Sequence, residues 1–81
     1  MTADQMFEKL GYEKVEDTFI LTVYRTKRRD MEIEIYKKGK CAGCFYYGGE
    51  RVNLDFAEIK AISKFIDELE DETKKNDNMD I

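Results

Sequence analysis

The chain contains no histidine, no proline and no tryptophan, and its only serine is Ser63. Each absence narrows the available chemistry. Histidine is the commonest general base and an important metal ligand, so without it Ser–His and Cys–His nucleophiles are excluded. Ser63 falls in a helical stretch beside apolar residues, with no base to activate it. Two cysteines cannot complete a four-ligand structural zinc site within one chain. Gly48-Gly49 lacks the lysine and helix that follow a phosphate-binding glycine loop. No apolar run approaches the roughly 20 residues of a membrane span. Asp4 and Glu8 interrupt the region where a signal peptide would carry its apolar segment. The expectation is a cytoplasmic protein that is not an enzyme and has no cofactor, no metal and no membrane partner.

What is present is charge. Charged residues make up 40% of the 81 residues, against about 25% in ordinary domains. The net charge of −4 conceals an asymmetry. Residues 25–40 hold seven positive and three negative side chains, and residues 67–81 hold seven negative and two positive. A chain of this length buries about 60% of its unfolded surface, room for one thin core. One α+β domain is expected over residues 1–75, with residues 76–81 a frayed acidic tail.

The periodicity predicts a long amphipathic helix over residues 55–73. Ile59, Ile62, Ile66 and Leu69 form an apolar ridge at helical spacing, with Phe56 and Phe65 on its flanks. Asp55 and Glu58 match a capping box. The ridge reads as core packing; a dimer seam would require apolar heptads over a longer helix. Thr2 and Gln5 mark a second capping box, before a short helix ending near Leu10 with Gly11 at its C′ position. Tyr12 is placed to fold back on Phe7.

Between the helices lie strand signals. Residues 13–17 read as a charged connection and residues 18–25 as a strand with Phe19, Leu21 and Val23 inward. Residues 31–36 alternate cleanly, Met31, Ile33 and Ile35 inward and Glu32 and Glu34 outward. Lys37–Lys40 is a turn in which Gly39 can take positive φ. Residues 41–47 form a further strand, and residues 51–54 a short edge strand. The predicted architecture is a short N-terminal helix, a three- or four-stranded antiparallel β-meander and a long C-terminal helix, with both helices on one sheet face.

Cys41-Ala42-Gly43-Cys44 has a redox-motif spacing, but it falls in a strand. In an extended strand the two Cα atoms lie about 10 Å apart on opposite faces, beyond the roughly 7 Å limit for a disulfide. Ordinary thiols are expected.

Two surfaces are candidates for binding. The open sheet face, with Tyr24, Tyr36 and a strand aromatic from residues 45–47, and the acidic helix end with Glu68, Asp71 and Glu72, suit a protein partner. The alternative is nucleic-acid binding through Arg25, Lys27, Arg28 and Arg29. Glu32 and Glu34 on the same sheet face oppose phosphate, which favours the protein partner.

The opening MTADQMFEKLGYEK and the later LDFAEIKAISKFIDEL resemble the two ends of a group of small uncharacterised proteins encoded by phages and prophages of Gram-positive bacteria. Those chains open with M-T-A-x-x-M-F-x-x-L-G-Y and carry a hydrophobic-Thr-x-E-E-L-K-A-I helix. Here Asp55 stands at the Thr position and Ile59 at the Leu. The resemblance covers the two helices and implies a fold and a phage context, in which a small acidic protein inhibits a host or defence protein. It brings no functional residue with it.

Neither cysteine is expected to carry metal or a disulfide. The chain should therefore fold with both replaced by serine or alanine, and circular dichroism should be unchanged by a chelator or a reductant; metal-dependent folding would contradict this.

Overall fold

The computed structural model describes residues 1–26 and 30–79, with side chains described through Glu72. Six elements follow in order: α1 (Ala3–Lys9), β1 (Glu13–Asp17), β2 (Leu21–Thr26), β3 (Met31–Tyr36), β4 (Cys41–Tyr46) and α2 (Phe56–Met79). The strands form one antiparallel sheet in the order β1-β2-β3-β4. Both helices lie on one face and enclose the core, in which Phe7, Tyr24, Ile33 and Ala61 are almost wholly buried. No helix among the described residues is long and apolar enough to cross a membrane.

Local sequence explains the helix ends. Thr2 Oγ1 accepts from Gln5 N at 3.2 Å, and Gln5 Oε1 accepts from Thr2 N at 2.8 Å. At the other end Gly11 adopts φ +91, letting its N–H reach Glu8 O at 3.0 Å and Tyr12 N–H reach Phe7 O at 2.9 Å. That is a Schellman stop, and it sets the Tyr12 ring edge-on to Phe7 at 5.9 Å. In α2, Asp55 Oδ1 accepts from Glu58 N at 2.8 Å and Glu58 Oε1 accepts from Asp55 N at 2.9 Å, so the second capping box forms as well. The helix continues past Thr73 to Met79.

Four expectations change. Residues 13–17 are a strand, not a connection. All five are exposed, so no apolar alternation announced them. A bulge at Val15 places Lys14 and Asp17 on the same, helix-covered side, where they pair at 3.5 Å.

The second correction concerns β2. It begins at Leu21, leaving Phe19 and Ile20 in the preceding turn, 73% and 47% exposed. Its inward set is Thr22, Tyr24 and Thr26, opposite Ile35, Ile33 and Met31. Leu21, Val23 and Arg25 are on the open face opposite Tyr36, Glu34 and Glu32. Arg25 shares parity with Leu21 and Val23, so turning those two inward would bury its guanidinium, a large desolvation cost. Tyr24 can occupy the interior because its hydroxyl donates to Asp4 Oδ1 at 2.5 Å and its ring stacks on Phe7 at 3.9 Å. Val23 is buried even so, between its cross-strand partners Glu16 and Glu34.

The third correction is the roll of α2. Its buried line runs through Glu58, Ala61 and Ile62, with Phe65 packed against the core and edge-on to Tyr24 at 6.3 Å. Ile59 and Ile66 stay 46% and 44% exposed. The expected ridge is therefore split: Ile62 enters the core, and Ile59 and Ile66 flank it. The fourth is smaller. Lys40, not Gly39, takes positive φ in the turn before β4, and residues 51–54 contribute only an isolated bridge from Arg51 to Phe45.

Glu58 is 1% exposed and also accepts a hydrogen bond from the Tyr12 hydroxyl. Its loss removes an acceptor from the Tyr12 hydroxyl and from the part-buried Asp55 N–H. Glu58→Ala should cost about 3 kcal/mol and Tyr12→Phe about 1–2 kcal/mol in urea unfolding; Glu8→Ala, at an exposed position of α1, should change stability little.

Candidate functional site

The sheet face away from the helices carries no other element among the described residues. Alternation places Arg25 from β2, Glu32, Glu34 and Tyr36 from β3, and Phe45 from β4 on it. Most of these groups already hold one another. Arg25 Nη2 lies 3.1 Å from Glu32 Oε2, and its guanidinium sits 5.3 Å from the Tyr47 ring centre. The Tyr36 hydroxyl donates to Glu34 Oε1 at 2.6 Å, which raises its pKa above the ordinary phenol value. The Phe45 ring lies across Gly43: a Cβ there would fall 2.5 Å from Phe45 Cε2. Glycine thus lets an aromatic ring lie flat on the sheet. The result is a patch of oriented aromatic rings bounded by paired charges.

Among the described residues, two hollows border α2 on the helix-covered side. One, of about 600 Å³, runs between β4 and the outer flank of α2, with Ile35 and Ala42 on the sheet side and Ile62, Ile66, Leu69 and Glu70 on the helix side. The other, of about 190 Å³, is polar and joins α1, β1 and α2. In it Lys14 Nζ contacts Asp4 Oδ2 at 2.9 Å, and Lys37 Nζ contacts Asp17 Oδ1 at 2.9 Å and Thr18 O at 2.6 Å. The Tyr24 hydrogen bond and Lys14 hold the Asp4 carboxyl below its ordinary value. Burial pushes the Asp17 carboxyl up, but hydrogen bonds from Lys37 and Thr22 outweigh it and leave the pKa lowered. Burial, then the bond to Asp4, raise the Tyr24 phenol. Lys14 thus faces both Asp4 and Asp17, and Asp17 is shared with Lys37, so the cleft is built on a chain of paired charges.

No family model, curated protein or solved structure matches the chain.

The structure separates the residues expected to act together. Tyr36 is on the open face, whereas Tyr24 is interior and 1% exposed. Tyr24 therefore cannot meet a partner; the same parity error that misplaced Val23 misplaced it. Glu68 caps α1, its Oε2 accepting from Ala3 N at 2.8 Å, while Asp71 and Glu72 are exposed on α2. Of the basic set, Arg25 is paired with Glu32, and Lys27, Arg28 and Arg29 lie outside the described residues. Cys41 is exposed and Cys44 buried, neither in a disulfide, on opposite faces of β4. Among the described residues no group of three or more His, Cys, Asp or Glu side chains could hold a metal ion. Sequence reasoning missed the Phe45–Gly43 contact and the Arg25–Glu32 pair. Both follow from register, and the Arg25 parity signals it.

Asp4 and Asp17 both have folded pKa values below their ordinary 3.8. Their contribution is present above that value and disappears as pH falls through the lowered folded pKa values. Stability should therefore decline below about pH 4. Asp4→Asn should cost about 1 kcal/mol at neutral pH, allowing for solvent screening, and flatten the acid limb of a pH series of urea melts.

Proposed function

We propose that the chain is a non-enzymatic protein-binding module that docks a partner protein on its open sheet face, in the manner of a small phage accessory protein that inhibits a host or defence protein. The observation behind this reading is the uncovered patch of Tyr36, Phe45, Tyr47 and Arg25, whose side chains are oriented by contacts within the chain. Tyrosine and arginine are enriched among residues that dominate protein interfaces, and side chains already ordered lose less entropy on binding. The phage role comes from the resemblance of the two helices. The carboxylates of Glu32 and Glu34 on the same face disfavour a phosphate backbone, so nucleic acid ranks second.

Affinity capture from a host lysate, read by mass spectrometry, tests the reading. Wild type should retain a specific protein that Tyr36→Ala and Phe45→Ser lose by about tenfold or more, while Glu8→Ala, on the exposed side of α1, retains it. Binding to random duplex DNA that weakens steeply with salt would instead support the nucleic-acid alternative.

A further inference from the structure

The outer flank of α2 is apolar and bare. Phe56 is 83% exposed, Ile59 46% and Ile66 44%, and at about 100° per residue they line one side of the helix together with Ser63 and Glu70. Beside the carboxyl-terminal half of that flank lies the groove of about 600 Å³, whose lining includes Ile66 and Leu69 from the helix, Ile35 and Ala42 from the sheet, and the cations Lys37 and Lys40. So one helix carries a protruding ring at one end and, at the other, a hollow with apolar walls and charged residues in its lining. Phe56 and Glu70 are separated by about 21 Å along the axis at 1.5 Å per residue. Their midpoint is Ser63, a small side chain on the same flank.

We propose that this flank is the interface of a two-fold homodimer in which two α2 helices cross antiparallel at Ser63, and Phe56 of each copy fills the groove of the other. A two-fold interface must be self-complementary, and the sequence about Ser63 meets that requirement. Antiparallel crossing at this point sets Ile59 against Ile66 of the second copy. It sets Lys60 beside Asp67 of the second copy, and symmetry repeats both contacts. Lys60 and Asp67 are exposed. Each Phe56 arrives near Glu70 of the second copy, one of the groove-lining residues. Ser63 at the centre allows the helices to approach closely.

The sheet edges agree. β1, at one edge, reads Glu-Lys-Val-Glu-Asp, the charged pattern that blocks edge association. β4, at the groove edge, has no charged residue, and Ala42 is exposed although it faces the helix side. The second copy's Phe56 covers that side. The open sheet face remains clear in this arrangement, so the dimer stands independently of the partner proposed above.

Sedimentation equilibrium of the full chain, from low micromolar to several hundred micromolar, decides the matter. Wild type should approach twice its 9.6 kDa mass. Phe56→Asp should weaken association by about tenfold or more with an unchanged circular dichroism spectrum. Lys60→Asp and Asp67→Lys should each weaken it a few-fold, and the double reversal should restore it. A chain that is monomeric over the whole range overturns the proposal. So does a dimer indifferent to Phe56→Asp, a double reversal no better than either single change, or a dimer broken by Phe45→Ser on the opposite sheet face.

Discussion

Two carboxylates on the buried side of α2 hold the short helix α1 at both ends. Glu68 accepts the Ala3 N–H at its amino-terminal end, and Glu58 accepts the Tyr12 hydroxyl just beyond its carboxyl-terminal end. Glu58 and Glu68 are about 15 Å apart along the helix axis, at 1.5 Å per residue, a span comparable with α1 and its stop. The short helix has too few residues to be stable alone. It persists because its caps, its Schellman turn and these two acceptors satisfy its ends while Ala3 and Phe7 are buried beneath. Other placements follow. Phe7 supplies the surface on which Tyr24 stacks, Asp4 supplies the acceptor that allows a tyrosine hydroxyl inside, and Tyr24 inward fixes the parity of β2.

That parity is also what makes the open face. With Tyr24 and Thr22 facing the helices, Arg25 must face away and meets Glu32 across the ladder. Tyr36 is brought beside Glu34, and Phe45 comes to rest over Gly43. The interior packing thus determines which aromatic rings are offered to a partner. The same packing rolls α2 so that Glu58, Ala61 and Phe65 lie inward, which leaves Ile59 and Ile66 outside. The proposed partner surface and the proposed dimer surface are both consequences of how α1 is clamped.

Charge is arranged to match. The edge strand β1 is covered in charged side chains, and its bulge turns Lys14 and Asp17 to the side where Asp4 and Lys37 await them. A chain with 40% charged residues can then leave apolar flanks on α2 and β4 without exposing every edge. Surface ion pairs contribute little individually; their use here is to guard one edge and orient one cleft, and the small apolar core supplies the main cohesion.

The sequence by itself determined the order of the helices, both capping boxes, the stop at Gly11 and the alternation of β3, because each depends on residues within a few positions of one another. It also leaves out nucleophiles that need a histidine base from these 81 residues, since that residue type is absent. Only the tertiary structure decided that residues 13–17 pair as a strand, that Tyr24 is inside, that Glu68 is a cap, and that the isoleucine ridge is divided. Those outcomes depend on contacts between residues far apart in sequence: a tyrosine is inward or outward according to whether an acceptor waits for its hydroxyl, and a helix face is core or surface according to where the neighbouring helix lies.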